Sequence, residues 1–359
     1  IFKITTWGES HGKGVGVVVD GCPAGLSLCE EDIQKFLNRR KPGQSRFTTK
    51  RKEADQVEIL SGVFEGKTTG HPISLMVANT DQRSHDYSEI ANCYRPGHAD
   101  LNYDRKYGFR DYRGGGRSSG RETIGRVAAG AIAAKLLKEL GITVSAYTYS
   151  IGPVQINRAN FSKEEISNNA LYMPDTQAAQ AAQEYLDKCM RETNSSGGMV
   201  ECEITGVPAG IGEPAFEKLD AALAKAMFSI GAVKGFEIGE GMEAARLTGL
   251  ENNDAYRMDT EGQIMKKTNH SGGITGGISD GAPILFRAAF KPTPSIAAPQ
   301  ETVNRQGEEI EIRIKGRHDP IIVPRAVVVV ESMAALVILD AMLGSMTTRL
   351  DKIKEFFDK

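Results

Sequence analysis

The sequence of 359 residues predicts an α+β fold in a single domain over residues 1–359, built from two related halves near 1–150 and 195–345. Three observations predict it: an internal repeat, long apolar helices, and strand patterns that lie near helices without strict alternation. A Rossmann-type sheet needs regular strand–helix–strand units, so their absence favours α+β. A helix as apolar as residues 127–140 is expected to lie buried between layers.

The internal repeat has three matches, which follow the same order in both halves. In the first, residues 21–25 (GCPAG) match residues 206–210 (GVPAG). Each copy follows a strand pattern rich in β-branched residues and precedes an amphipathic helix. The strands are predicted over 15–19 and 199–204, and the helices over about 30–38 and 215–228.

The second match pairs residues 61–73 with residues 271–284, since each begins with Ser-Gly and runs through Gly-X-Pro-Ile into an apolar strand. The third pairs two predicted helices, over 123–140 and 327–343. Between the halves, Asp175 can cap a helix predicted over about 176–191. Three matches in one order predict two related halves more strongly than any single match.

Composition excludes several classes of function. The net charge is −2, whereas a long polyanion favours an extended basic face, so no nucleic-acid partner is expected. The five cysteines form no CxxC pair, which argues against a zinc ribbon or a disulfide framework and fits a reducing compartment. The spacing of His and Cys predicts no metal site.

The most apolar stretch, residues 323–343, contains Arg325, Glu331 and Asp340. Charges are costly near the centre of a bilayer, so this stretch is interpreted as a buried helix, and no membrane partner is expected. The first residues lack the basic-then-apolar pattern of a secretory signal. Together with the cysteines, these features favour a cytoplasmic protein.

The basic residues are concentrated in two clusters. Residues 39–52 hold seven Lys or Arg among fourteen positions, and a second cluster spans residues 105–126. Local cationic clusters in a nearly neutral chain favour small anionic ligands. Solvated surface charge is an equally good interpretation for residues 50–52.

Residues 113–122 (RGGGRSSGRE) are the densest functional signal. Three glycines let the backbone approach a ligand closely, and amides at a following helix N-terminus suit an anion. Arginines add planar, permanently charged donors for phosphate. A structural alternative is a capping box, since Ser119 and Glu122 have the S-x-x-E spacing. The segment fits neither the GxGxxG nor the Walker pattern, so those nucleotide-binding folds are not predicted.

Two histidines stand beside glycine in turn-like segments near the basic clusters. They are His11 in residues 8–12 (GESHG) and His98 in residues 95–100 (RPGHAD). Histidine titrates near pH ~6.5, so either can act as an acid close to neutrality. Asp319 follows a predicted strand and stands near Arg317; this pair is either a structural ion pair or part of a catalytic site.

Seven segments together resemble the chorismate synthase family across nearly the whole chain. They are residues 8–12 (GESHG), 39–46 (RRKPGQSR), 79–84 (NTDQRS), 95–100 (RPGHAD), 112–119 (YRGGGRSS), 291–295 (KPTPS) and 316–327 (GRHDPIIVPRAV). The resemblance implies a sandwich of helices between antiparallel sheets, assembled as a homotetramer. The pseudo-twofold repeat, which is inferred separately from the sequence matches, agrees with such a sandwich.

The resemblance also implies the reaction. It is an anti-1,4-elimination of the 3-phosphate and a C6 hydrogen from 5-enolpyruvylshikimate 3-phosphate, giving chorismate in the shikimate pathway. Reduced FMN is required although no net oxidation occurs, and NADPH is one possible source of electrons.

Residue roles follow from the same resemblance, position by position. The implied catalytic residues are His11, which protonates reduced flavin, His98, which protonates the leaving phosphate, and Asp319, which takes up the transferred proton, with Ser10 and Ser119 in support. The implied FMN-binding residues are Arg117, Ser118, Ser119, Gly231, Ala232, Gly276, Lys291, Pro292, Thr293, Pro294, Ser295 and Arg317. The implied binders of substrate or NADP are Arg39, Arg40, Arg46 and Arg113.

Three positions depart from the family pattern. Asn194 stands where many relatives have Asp, Gly231 where Asn is frequent, and Ile321 where Cys is common. Two other functions stay open on the residues alone. One is RNA binding through the RGGGR element, which occurs once and has no basic domain around it. The other is a flavin oxidoreductase that consumes NADPH by itself.

Overall fold

The computed structural model describes residues 1–48, 54–80, 91–112, 115–314 and 319–358. Over these ranges the chain mixes helices and strands with several antiparallel sheets, which confirms the α+β prediction. The helices are α1 (Glu30–Arg40), α2 (Asp100–Tyr107), α3 (Thr123–Glu139), α4 (Glu165–Asn168), α5 (Thr176–Arg191), α6 (Leu219–Phe228), α7 (Gly249–Asn252), α8 (Val323–Ser345) and α9 (Leu350–Phe356).

The strands form two larger sheets and four short hairpins within the described ranges. The first half holds β1 (Lys3–Gly8), β2 (Gly14–Asp20), β3 (Val57–Ile59), β4 (Val63–Phe64), β5 (Lys67–Thr68) and β6 (Ile73–Ala78). Next come β7 (Thr143–Ile151), β8 (Val154–Gln155), β9 (Gly198–Thr205), β10 (Val233–Ile238), β11 (Tyr256–Met258) and β12 (Ile264–Lys266). The last are β13 (Ile274–Thr275), β14 (Ile278–Ser279), β15 (Ile284–Phe290), β16 (Gln300–Val303) and β17 (Glu309–Ile312).

The first sheet has the order β1-β2-β6-β3, and every pairing is antiparallel. Alternate residues of β2, namely Val15, Val17 and Val19, are buried, because side chains of a strand point to opposite faces in turn. Helix α3 packs on β1, β2 and β6 and α1 packs on α3, so one face of this sheet is covered.

The second sheet has the order β10-β15-β9-β7-β8, also antiparallel. Helix α8 packs on β7 and β9, and α6 packs on β10 and on α8. Val200, Cys202 and Ile204 of β9 are buried completely. Helix α3, which packs on the first sheet, and helix α8, which packs on the second, also contact each other.

Helix α8 confirms the interpretation of the most apolar stretch. Val323–Ser345 is long and apolar enough to cross a membrane, yet 72% of its most apolar window is buried inside the protein. Glu331 accepts two hydrogen bonds from the guanidinium of Arg39, at 2.7 and 2.9 Å, so its charge is paired. The helix is a core element of this fold.

Helices α3 and α8 approach each other closely at Gly130. A Cβ added there would lie 2.2 Å from Ser332 Cβ and 2.6 Å from Ser332 Cα, far inside van der Waals contact. We expect Gly130→Ala to lower the free energy of unfolding by about 1–3 kcal/mol, because the backbone of α8 cannot move away at no cost. Thermal unfolding followed by circular dichroism measures this loss.

Gly344 provides the matched control for Gly130, since it lies in α8 and an added Cβ would meet nothing within 4 Å. Gly344→Ala should leave stability unchanged or raise it, because Ala favours helix over Gly by about 1 kcal/mol. Equal effects of the two substitutions would contradict a steric role for Gly130.

Two of the predicted helices show how local signals succeed and fail. Helix α5 begins at Thr176 as predicted, and Asp175 Oδ1 accepts hydrogen bonds from Gln177 N and Ala178 N. The helix predicted from residue 215 begins only at Leu219. Phe216 has φ +52°, a left-handed conformation that a right-handed helix excludes, so the earlier boundary is wrong.

The two PAG loops make matching hydrogen bonds with their hairpins. Thr68 Oγ1 donates to Pro23 O at 2.6 Å, and Ser279 Oγ donates to Pro208 O at 2.6 Å. Each hydroxyl also accepts a backbone N–H from the loop, at 3.0 Å in the first half and 2.9 Å in the second. The two loops therefore make the same pair of hydrogen bonds with their hairpins.

Candidate active site

The loop between β1 and β2 carries Ser10 and His11. Gly8 begins it with φ +85°, and an added Cβ would lie 2.2 Å from Gly14 O, so only glycine allows this close return of the chain. Ser10 is buried and His11 is half-buried. Ser10 Oγ lies 3.1 Å from His11 Nδ1, so the hydroxyl can fix the orientation of the imidazole.

Asn79, just beyond β6, holds this loop in place. Its Nδ2 donates to Glu9 O and to Gly12 O, each at 2.9 Å. Its Oδ1 accepts from Arg121 Nε at 2.9 Å. Asn79 stands in the family-like segment 79–84, yet the sequence alone assigned it no role, because a single amide has many possible partners.

Residues 115–122 of the glycine-rich segment precede α3 and contact β1. Gly116–Ser118 and Gly120–Glu122 form short 3-10 turns. Arg117, which is exposed, donates to Gly8 O at 2.9 Å and to Thr6 Oγ1 at 2.6 Å. The guanidinium of Arg117 therefore lies directly beside the start of the His11 loop.

The capping box expected at residues 119–122 forms only in part. Ser119 Oγ accepts from Arg121 N at 3.3 Å, two residues on, as a 3-10 turn allows. The carboxylate of Glu122 instead accepts from Thr6 Oγ1 and from Arg126 Nε. Ser118 is exposed and Ser119 is half-buried, and Ser118 Oγ donates to Gly115 O at 2.7 Å.

The arginines of the first basic cluster separate into buried and exposed groups. Arg40 is 1% exposed, and its Nε and Nη2 donate to Asp55 Oδ2 at 3.2 and 2.7 Å. Burial lowers the pKa of Arg40 despite this partner. Arg39 pairs with Glu331, whereas the exposed Arg46 pairs with Asp187 at 2.9 Å.

His98 reaches across to the second half of the chain. Its Nε2 lies 2.7 Å from Ser295 Oγ. Gly97 has φ +71°, and an added Cβ would lie 2.8 Å from Pro294 Cβ; its carbonyl accepts from Lys291 Nζ at 2.5 Å. The segments 95–100 and 291–295 are thus in direct contact.

An ion pair supports the His98 segment from within. Arg95 Nη2 donates to Asp100 Oδ1 at 2.8 Å, and both side chains are 7% exposed. Burial alone raises the pKa of Asp100, but the hydrogen bonds and charge of Arg95 outweigh it, so the pKa is lowered. Asp100 therefore stays ionised and keeps the turn before α2 closed.

The segments 231–232 and 291–295 meet at the ends of β10 and β15. Lys291 N donates to Ala232 O at 2.9 Å, and Ser195 Oγ donates to Thr293 O at 2.6 Å. Ala232 has φ +73°, a strained backbone conformation for a residue other than glycine.

Two observations indicate that the cluster of residues 231–232 and 291–295 can bind a cofactor. A Cβ added to Gly231 would meet nothing within 4 Å, so space is open there. The buried Thr293 Oγ1 has no hydrogen-bond partner within the part of the chain that the structure describes, although buried hydroxyls nearly always have one. The residues present therefore fit a polar group bound against 231–232 and 291–295.

Asp319 is linked on one side to Arg40 and on the other to the 291–295 segment. Its Oδ2 accepts from Arg325 Nη1 at 2.6 Å, and Arg325 Nε donates to Arg40 O at 2.8 Å. On the other side Ser196 N donates to Pro320 O at 2.9 Å, next to the Ser195 that contacts Thr293. Asp319 is thus linked to the arginine network and to the 291–295 segment.

Gly276 does not join this cluster within one chain. It lies in the turn of the β13–β14 hairpin, where Leu219 N at the start of α6 donates to Gly277 O at 2.9 Å. Gly231 and Ala232 follow the opposite end of α6, a helix of 10 residues. Arg113 and Arg317 lie outside the described residues.

The comparisons with known proteins agree with one another. A family model for chorismate synthase matches residues 2–343. The chorismate synthase of Agathobacter rectalis is 70% identical over 359 residues, which are 100% of this chain and 98% of that protein. The chorismate synthase of Synechocystis is 54% identical over 346 residues, 96% of this chain and 96% of that protein.

Comparison of the fold with solved structures identifies the same family as comparison of the sequence. A crystal structure of chorismate synthase matches with a TM-score of 0.76 at 32% sequence identity, covering 99% of this chain and 96% of that one. The family model, both relatives and this structure extend over nearly the whole chain, which confirms the resemblance of the seven segments. The chain therefore belongs to the chorismate synthase family and is an enzyme, a lyase.

Proposed function

We propose that the chain converts 5-enolpyruvylshikimate 3-phosphate to chorismate and phosphate with the help of reduced FMN. In this 1,4-elimination the C3–O bond and the C6–H bond break, and the phosphate leaves with the C–O electron pair. The observation that carries the proposal is the contact of His98 Nε2 with Ser295 Oγ at 2.7 Å. This contact supports the proposal, because the proposed acid for the leaving phosphate then lies beside the segment proposed to bind flavin.

The phosphate side of the reaction is assigned to His98 and to cationic side chains. His98 would donate its proton to the leaving phosphate, which departs more readily when protonated. Arg46 and Arg113 would bind anionic groups of the substrate or of NADP. The resemblance assigns Arg39 and Arg40 to the same binding role. Their ion pairs with Glu331 and Asp55 support a role in positioning the basic segment 39–46.

FMN would be held by backbone and side-chain groups from both halves of the chain. These are Arg117, Ser118 and Ser119, then Gly231 and Ala232, the segment Lys291, Pro292, Thr293, Pro294 and Ser295, and finally Gly276 and Arg317. Bound in reduced form, FMN supplies transient electron donation to the substrate without net oxidation. The unpartnered Thr293 Oγ1 and the open space at Gly231 support this placement.

Proton handling is assigned to residues on either side of that site. His11 would hold a proton for the flavin side of the site, with Ser10 Oγ orienting its ring from 3.1 Å. Asp319 would take up the proton derived from C6, and its contact with Arg325 at 2.6 Å keeps the carboxylate in place. Ser119 would support these transfers through its hydroxyl.

We also infer a single domain with the architecture of a sandwich, in which helices lie between antiparallel sheets and the halves are related by a pseudo-twofold. The matching hydrogen bonds of the two PAG loops support this relation. A homotetramer in the cytoplasm, with no nucleic-acid or membrane partner, completes the proposal. The position of Gly276 fits an oligomer, because a second copy could bring this glycine to a flavin that residues 231–232 of the first copy bind.

An anaerobic assay tests the reaction. We expect the purified chain, given 5-enolpyruvylshikimate 3-phosphate and dithionite-reduced FMN, to release phosphate and form chorismate in equal amounts. Folded protein that binds FMN but forms no chorismate would contradict the proposal. Replacing dithionite with NADPH shows whether the chain reduces its own flavin. NADPH oxidation in the presence of the substrate, with no chorismate formed, would favour the oxidoreductase alternative.

A further inference from the structure

Asp55 is a buried carboxylate shared by two arginines. Its side chain is 0% exposed; Oδ2 accepts from Arg40 Nε and Nη2, and Oδ1 accepts from Arg121 Nη1 at 3.3 Å. Asp55 has φ +47°, and its carbonyl accepts from Gln34 Nε2 at 3.2 Å. A left-handed backbone persists in a residue other than glycine only where its surroundings determine it.

The arginines connect Asp55 with both loops that carry proposed catalytic groups. Arg121 Nε donates to Asn79 Oδ1, and Asn79 holds the His11 loop through Glu9 O and Gly12 O. Arg40 Nη1 donates to Gly120 O at 3.0 Å, directly after Ser119. The buried carboxylate of Asp55 is thus connected, through two arginines, to the His11 loop and to the Ser119 turn, which are far apart in sequence.

We propose that Asp55 is a positioning residue, which fixes His11 and Ser119 relative to each other through Arg121, Asn79 and Arg40. The inference rests on the proposed function of His11 and Ser119. Charge-assisted hydrogen bonds are short and strong in a site that excludes water, so they hold the two loops more firmly than neutral contacts would. Misplacing a reacting group by about 1 Å costs up to 10²-fold in rate.

The test is Asp55→Asn, which keeps the shape of the side chain and removes its charge. We expect kcat for chorismate formation to fall by about 10- to 100-fold. The dissociation constant for FMN should change by less than kcat does, because among the proposed FMN-binding segments only the Ser119 turn contacts the Asp55 network.

Glu201 is the matched control. It is also a carboxylate with a 0% exposed side chain shared by two arginines, Arg158 at 2.5 Å and Arg287 at 2.7 Å. It lies in β9 between Val200 and Cys202, whose side chains are buried on the opposite face of the sheet. Glu201→Gln should lower the melting temperature as much as Asp55→Asn does, and should leave kcat unchanged.

A second variant decides the matter if Asp55→Asn does not fold. Asn79→Ala cuts the same network at a half-buried position, and the proposal expects it to fold and to lose kcat by the same factor at unchanged FMN affinity. Normal kcat in the folded variant, or equal loss of kcat in Glu201→Gln, would overturn the positioning role. Because wild-type protein runs in the same assay, its own failure would instead refute the proposed function.

Discussion

His98→Ala should lower kcat by about 10²–10⁴-fold, the usual loss when a general acid is removed. FMN binding should persist, because Lys291 N still donates to Ala232 O and Ser195 still holds Thr293 O in the variant. The defect should lie in phosphate release, which anaerobic stopped-flow with a phosphate sensor measures. The absorbance of bound flavin before turnover should match that of the wild-type protein.

His71 supplies a control for His98. It is an exposed histidine between β5 and β6, outside the proposed site, and His71→Ala should leave kcat unchanged. A kcat for His98→Ala within about three-fold of wild type would remove His98 from catalysis. The contact with Ser295 would then be structural, and Ser295→Ala should weaken packing between the two segments without affecting turnover.

His11→Ala should also lower kcat by about 10²–10⁴-fold, and it should fail in a different way. If His11 holds the proton on the flavin side, its loss changes the protonation of bound reduced flavin. The absorbance of reduced flavin in the presence of substrate should therefore differ from that in wild-type protein and in His98→Ala. Stopped-flow spectra of the three proteins, recorded without oxygen, make this comparison.

Ser10→Ala separates orientation from proton transfer. The substitution removes the hydroxyl 3.1 Å from His11 Nδ1 and leaves the imidazole in place. We expect a smaller loss of kcat than in His11→Ala, with the same direction of spectral change. Identical flavin spectra in His11→Ala and His98→Ala would contradict a division of roles between the two histidines, even if both variants lost activity.

The sequence predicted those features that depend on local interactions or on the apolar pattern. Asp175 caps α5 through backbone amides two and three residues away, so its neighbours in sequence contain the whole interaction. The buried position of α8 follows from its apolar residues, which favour removal from water, and from Arg325, Glu331 and Asp340, whose charges disfavour a bilayer. The internal repeat stays a prediction, which the matching hydrogen bonds of the two PAG loops support.

The family motifs also identified His11, His98 and the 291–295 segment as candidate site residues before any contact was visible. Their grouping could not be worked out from spacing, because His98 and Ser295 are 197 positions apart. The start of α6 was predicted too early for a related reason, since sequence does not show the backbone conformation of a single residue. Residues 215–218 have helical composition, but Phe216 takes a left-handed conformation that composition does not reveal.

The tertiary structure alone distinguished the arginines of residues 39–46. In sequence they form one cationic cluster, and solvated, ligand-binding and buried arginines look alike there. Folding buries Arg40 against Asp55, 15 positions away, pairs Arg39 with Glu331, 292 positions away, and leaves Arg46 exposed. A buried charge needs a partner because desolvation is costly, and that partner is chosen by packing between distant segments rather than by sequence neighbours. The sequence thus determined the family, the elements and the candidate residues, and the tertiary structure decided which charges hold the site together.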